Sequence, residues 1–348
     1  MKLPEINQQY LQDFLVGLLN IPSPTGFAEE AIKYTQDALK DYPGITFSRD
    51  RKGGMLATWP GKAEEPARAI TSHVDTLGAI VKEVKSNGRL RLTNLGGVIW
   101  PSVENEGLTV FTTDGKQYRG SLVLTKASGH VYPKECRELP RNDETMEVRL
   151  DERTTSADET RKLGIEVGDF VAFDTRIEMH NGFIRSRYHD DKACVACVLA
   201  AVKAITEAGL QPTVKTYLHF SNYEEVGHGG AAGIPEDAAE LLAVDMAAIG
   251  EGQNSDEFHA SICIKDASGP YHHGLSQRLR RLAESYQIPH KTDTFLSYAS
   301  DGSALWRAGG NIAIALIGPG IDGSHSYERA HMDGLLATTN WIMAYLLN

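Results

Sequence analysis

From about Val81 to Arg187 the chain changes texture. Short alternating stretches, such as Leu90-Arg91-Leu92-Thr93 and Leu108-Thr109-Val110-Phe111, are separated by the turn sequences Ser86-Asn87-Gly88 and Asp114-Gly115. Period-two alternation bounded by turn residues predicts strands with one buried face. Outside this stretch apolar strands alternate with helices, which implies a mainly parallel sheet covered by helices on both faces. The expected fold class is therefore α/β, with a domain made of residues 1–80 and 187–348. A β-rich, barrel-like domain, 81–186, is inserted into it. A length of 348 residues is long for one core and comfortable for a main domain with a smaller one.

Within the α/β part the pattern predicts helices over 6–20 and 27–41, the second entered through Pro22-Ser23-Pro24-Thr25-Gly26. A turn at Arg51-Lys52-Gly53-Gly54 precedes a strand at 67–73. After the insert come a helix at 191–208, a strand at 214–220, a glycine-rich loop and helix, and a strand at 241–246. A helix at 273–287, a strand at 311–317 and a last helix at 332–347 complete the chain. No apolar run approaches the roughly 20 residues that span a bilayer. The first residues lack the apolar core and cleavage site of a secretory signal, so a cytoplasmic location is expected. A formal net charge of −11 makes nucleic acid and anionic membrane poor partners. Cys194 and Cys197 form a Cys-x-x-Cys on an apolar helix face without a second pair, so they are expected to be packing cysteines.

The chemistry is carried by polar motifs placed where apolar strands end. They are His73-Val74-Asp75 after 67–72, Asp190-Asp191-Lys192 at a helix start, Glu224-Glu225-Val226-Gly227 past 214–220, Asp245 inside an apolar strand, and His325-Ser326 after 311–317. In an open α/β sheet the ligand crevice lies beyond the carboxyl ends of the strands, so motifs distant in sequence converge there. Each motif alone has an ordinary structural explanation: a satisfied histidine, a helix-start acid, a solvated pair. Asp245 is the exception, because a carboxylate among apolar neighbours must be paired or ligated. Three carboxylates (Asp190, Glu225, Asp245) and a shared hydroxide balance two divalent cations, and the neutral imidazoles of His73 and His325 complete the shells. Oxygen and nitrogen ligands without thiolate suit Zn2+, with Co2+ or Mn2+ as alternatives. Glu224, next to a ligand, is the expected general base for a metal-bridged water, and Asp75 is expected to accept from the far ring nitrogen of His73.

The ordered set His73-x-Asp75, Asp190-Asp191, Glu224-Glu225-x-Gly227, Asp245 and His325-Ser326 resembles peptidase family M42, the tetrahedral (TET) or glutamyl-aminopeptidase-like family. The likeness extends to Leu95-Gly96-Gly97, Ile165-Glu166-Val167-Gly168-Asp169 and Ser300-Asp301-Gly302. It implies a metallo-aminopeptidase acting on peptides, with one cation on His73 and Asp245, the other on Glu225 and His325, and Asp190 bridging. It also implies that the insert mediates assembly into dimers and commonly into a twelve-subunit tetrahedron. Lys192 stands where the family usually has arginine. The wording around His325 also departs from the common one, which makes His331 a competing ligand candidate. His189, His228, His272 and His273 match no ligand position. The rival reading is a related dinuclear dipeptidase or N-acyl deacylase, but those relatives place the first histidine and the bridging aspartate close together. Here the β-rich insert separates them. A glycosidase is disfavoured because the adjacent Glu224 and Glu225 cannot flank a glycosidic bond.

Overall fold

The computed structural model describes residues 2–348. Contacts divide the chain into two compact units, Met1–Asp75 with Arg176–Asn348, and Thr76–Thr175. The first unit opens with α1 (Gln8–Leu19), whose orphan amides are met by Asn7: its side chain accepts from the Tyr10 N–H at 2.9 Å. α2 (Glu29–Leu39) follows, with two acids in its first turn as the helix dipole favours. The hairpin of β1 (Thr46–Arg49) and β2 (Met55–Trp59) leads into β3 (Ala63–His73).

The turn of that hairpin shows how local chemistry is tied to the interior. Asp50 Oδ1 accepts from the Lys52 and Gly54 amides at 2.8 and 2.9 Å, and Gly53 takes a left-handed φ of 86°. The other carboxyl oxygen lies 3.6 Å from His219 Nε2. His219 foremost, with the two amides, outweighs partial burial and lowers the Asp50 carboxyl to about 2. A group depressed in the folded state stabilises above its unfolded pKa of about 3.9, and that stability is lost as pH falls through about 2. Asp50→Asn is therefore expected to lower unfolding stability by about 1–2 kcal/mol at pH 7. The gap should close between about pH 4 and pH 2 in urea titrations.

The second unit is a closed six-stranded barrel, ordered β4-β5-β8-β7-β6-β9. Its strands are β4 (Gly78–Val84), β5 (Leu90–Leu95), β6 (Gly107–Phe111), β7 (Gln117–Leu124), β8 (Met146–Leu150) and β9 (Phe170–Phe173), with the short helices α3 (Glu135–Glu138) and α4 (Ala157–Lys162) between them. Alternate residues, among them Val81, Leu92, Leu108, Val110, Leu122, Val148 and Val171, fill the interior, as the pleat requires of a small barrel. The one deeply buried charge on β8, Glu147, is met by Lys85 and Arg89.

Returning to the first unit, β10 (Glu178–His180) and β11 (Phe183–Ser186) precede α5 (His189–Glu207). β12 (Val214–Ser221), β13 (Ala238–Val244), β14 (Ala247–Ala248), β15 (Ala260–Asp266) and β16 (Gly269–Pro270) come next. They are followed by α6 (His273–Ser285), β17 (His290–Thr294), α7 (Asp301–Arg307), β18 (Ala313–Ile321), β19 (Glu328–His331) and α8 (Met332–Leu347). The main sheet runs β1-β2-β12-β3-β13-β18-β15-β16, with β14 on β18 and β17 on β15. Its four central strands, β12, β3, β13 and β18, are parallel neighbours, and β2 and β15 flank them antiparallel. All four central strands therefore end at the same edge.

α5 is buried on every side from His189 to Val202 and packs against α1 and α8. Cys194 and Cys197 sit in that apolar surround as free thiols, both raised by burial, Cys197 to about 12. They pack rather than react. Lys192 is also wholly buried, and its Nζ donates to the carbonyls of Leu18 and Ile21 at 3.0 and 2.7 Å, tying off the end of α1. No helix among the described residues is long and apolar enough to cross a membrane.

Two expectations are corrected here, and two strands are added. The helix expected after the glycine-rich loop is only two 3-10 turns, Glu224–Val226 and Gly229–Ala231. Left-handed Tyr223 and Gly227 at the ends of the first turn block propagation. β15 and β17 were not anticipated, because their polar residues mask the alternation. Asp245 is not inside a strand but immediately beyond Val244, the last residue of β13.

Candidate metal centre

The common edge of the four central strands carries the polar motifs. His73 is the last residue of β3, Glu224 and Glu225 form the first turn after β12, Asp245 follows β13, and His325 lies in the loop after β18. Asp190 enters from the start of α5, where Asp190 and Asp191 have non-helical angles and are joined by a cis peptide. Three of these segments pass through left-handed non-glycine residues, Tyr188, Tyr223 and His325, with φ of 72°, 73° and 64°. Such backbone costs about 1–2 kcal/mol per residue and persists only where surrounding contacts demand it. Gly318 is another adaptation, since a Cβ there would stand 1.8 Å from the Asp245 carbonyl oxygen.

Two overlapping groups result. One donor atom each from His73, Asp190 and Asp245 lie within 4.8 Å of one another, and so do those from Asp190, Glu225 and His325. Asp190 belongs to both. His73 Nε2 lies 3.1 Å from Asp190 Oδ1, and His325 Nε2 is 3.6 Å from both Asp190 Oδ2 and Glu225 Oε2. Glu224 stands beside the first group, its Oε2 3.7 Å from His73 Nε2. His331, the competing candidate, lies elsewhere. Its Nε2 is 3.2 Å from the Asn181 carbonyl, its ring packs on Phe183 and Phe258, and it caps α8.

Asp75 supports the site by a route different from the one expected. The His73 Nδ1–H donates to the Asp75 backbone carbonyl at 2.8 Å, while the nearest carboxyl oxygen is 3.7 Å away. A carbonyl only accepts, so in the neutral ring Nε2 keeps its lone pair for a cation. The Asp75 carboxylate instead accepts from the Glu224 and Glu225 amides at 3.2 and 3.4 Å and from Thr25 Oγ1 at 2.7 Å. It positions the glutamate turn. The side chain is fully buried, so its two oxygens go to the nearest unpaired amides rather than to a ring already satisfied.

Three acids contribute that the motif reading left without roles. Asp191 accepts from the His73 amide at 3.2 Å. Asp301 joins β3, β12 and the second 3-10 turn by accepting from Thr71 Oγ1 at 3.0 Å, Ser221 Oγ at 2.5 Å and the Gly230 amide at 2.5 Å. Glu328 accepts from the Asp190 and His325 amides. The only sequence signal for Glu328 was an acid three residues after a candidate ligand, which is too common to single out.

The electrostatics fit a cation-binding site. Burial, then mutual repulsion, pushes Glu224 and Glu225 well above the carboxylate range and Asp245 up to about 8. Burial acts to depress His73, but Asp190, Glu224, Asp191 and Asp75 outweigh it and hold the ring well above its ordinary value. Buried carboxyl groups that repel one another are stabilised when a cation neutralises them. The donors are oxygen and imidazole nitrogen with no thiolate, which suits zinc and its neighbours.

An α/β sheet with a histidine–carboxylate cluster at its central strand ends has the makings of a metal centre, and comparison with known proteins places the chain in a family. The family model for M42 glutamyl aminopeptidase matches residues 53–340. The chain belongs to this family. It is 46% identical over 335 residues, 96% of each chain, to YhfE of Bacillus subtilis (strain 168), an aminopeptidase by name. It is 23% identical over 286 residues to the lysyl aminopeptidase of Pyrococcus furiosus, covering 80% of this chain and 79% of that one. Among solved structures, the aminopeptidase APDkam598 from Desulfurococcus kamchatkensis superposes with a TM-score of 0.87 at 21% identity, covering 97% and 95%. The TET1 peptidase of Pyrococcus horikoshii, which can assemble into a tetrahedron or a large octahedral shell, superposes at 0.84 and 21% identity, covering 97% and 99%.

Proposed function

We propose that this protein is an aminopeptidase that removes N-terminal residues from peptides with two divalent cations. His73 and Asp245 would hold one, Glu225 and His325 the other, and Asp190 would bridge. The observation that carries the reading is the sharing of Asp190 by two donor groups with Glu224 alongside. Bound there, two such cations supply a polarised scissile carbonyl and a water of lowered pKa. Glu224 takes the proton of the attacking water on its carboxylate and returns it to the departing amine. Asp75 keeps that carboxylate in reach by holding the amides of the turn, and the His73 tautomer is held by the Asp75 carbonyl.

The choice of an aminopeptidase within this chemistry is supported by the family and by relatives that carry aminopeptidase names. Self-association through the inserted barrel, into dimers and a dodecamer, is part of the proposal. It is supported by the assembly of the similarly folded TET1 peptidase.

The test is bound metal per chain together with hydrolysis of matched free and N-acetylated peptides, with and without chelator. Two cations per chain, and chelator-sensitive cleavage of free N-termini only, are expected. Cleavage confined to acylated amides would overturn the substrate class, and a metal-free active protein would overturn the mechanism.

A further inference from the structure

We infer that Glu328 is a positioning residue that locks the Asp190 and His325 segments together and thereby sets the affinity of the cation site made by Asp190, Glu225 and His325. The inference deepens the metal-centre reading above and rests on it.

Glu328 begins β19 and is 2% exposed. Its two oxygens serve two different segments: Oε2 accepts from the Asp190 N–H and Oε1 from the His325 N–H, each at 3.2 Å. The amides at the start of α5 have no carbonyl of their own helix to reach, and left-handed His325 turns its amide away from any regular ladder. One carboxylate therefore accepts from both ligand segments at once. β11 and β19 pair from Phe183↔His331 to Ser186↔Glu328, and an Asp322↔Arg329 bridge closes the base of the loop that carries His325, so Glu328 stands within that closed loop and links it to Asp190.

The two donor groups differ in how they are held. His73 is fixed independently, its ring by the Asp75 carbonyl and its amide by Asp191. The His325 side chain is 35% exposed, and its amide is held by Glu328. Loosening Glu328 therefore acts on the His325 group first. Glu328→Gln keeps the size of the side chain, but its single carbonyl oxygen accepts from one segment at a time, and its NH2 repels the amide facing it.

The test is competitive chelator titration of the full-length wild-type protein and Glu328→Gln with Zn2+, read together with hydrogen exchange of the peptides carrying Asp190 and His325. The expected result is two bound cations in wild type, and in the variant the His325 site weakened by about 10–100-fold and the His73 site, which shares only Asp190 with it, weakened less. Activity should recover at high free Zn2+, and exchange at His325 should be faster. A variant binding both cations as tightly as wild type overturns the inference and leaves the metal centre standing. Equal weakening of both sites overturns the assignment to the His325 group, and a wild-type protein that binds no cation overturns the metal centre with it. Should Glu328→Gln not fold, exchange in the metal-free wild type decides: slow exchange at both amides supports the clamp, and rapid exchange refutes it.

Discussion

Glu224→Gln is expected to keep both cations and to lose about 10²–10⁴-fold in kcat, the range that a positioned proton carrier supplies. The expectation follows from what the substitution spares. The Asp75 carboxylate holds the backbone amides of Glu224 and Glu225, not their side chains, so the turn survives. Glu224 belongs to neither donor group, so the cations keep their residues. What disappears is a carboxyl group held far above its usual range, first by burial and further by Asp245, Asp301 and Asp190. An amide of the same shape cannot take up a proton. Metal content and single-turnover rates on one peptide separate the outcomes. An unchanged rate with full metal content would place the base elsewhere, and loss of metal would make Glu224 a ligand.

Asp190→Ala is expected to abolish stoichiometric binding of both cations and to take activity with them. No other residue is common to the two groups, so its removal leaves each with two donors. The effect is best read as stability against added cation. A cation that binds only the folded state adds about 2.7 kcal/mol per site at a free concentration one hundred times its Kd. Wild type should gain that increment as Zn2+ is added, while the variant should gain nothing. A variant that still gained the increment for one cation would show that Asp190 serves a single site and does not bridge. A His73→Ala variant makes a useful partner, because it disturbs only the group that contains Asp245.

The two experiments also separate what residues do from where they stand, and the same distinction governs how much was legible beforehand. The motifs at the ends of β3, β12, β13 and β18 could be recognised because polar residues, each ordinary alone, follow one buried apolar strand after another, and such strand ends converge. The strand and helix alternation was legible because burial imposes a period on the chain. The short turns after β12 were not, because backbone angles at Tyr223 and Gly227, rather than helix propensity, end the first of them. The role of Asp75 was misread because a side chain and a carbonyl of the same residue compete for one ring nitrogen, and only the geometry says which one wins. Asp191 and Asp301 lay inside recognised motifs but without a readable role, and Glu328 had no more than its spacing from His325. Each acts by accepting backbone amides, a job open to any buried acid.

The amino-acid sequence by itself therefore determined the α/β class, the β-rich insertion and the identity of the His, Asp and Glu residues gathered at the strand ends. These follow from periodicity and from the cost of burying a charge, both of which are written locally. The tertiary structure decided which donors share Asp190, that His331 caps a helix and joins neither donor group, and that Glu328 joins two ligand segments. Those are matters of distances between residues on different elements, and such distances exist only once the sheet has brought its strand ends to one edge.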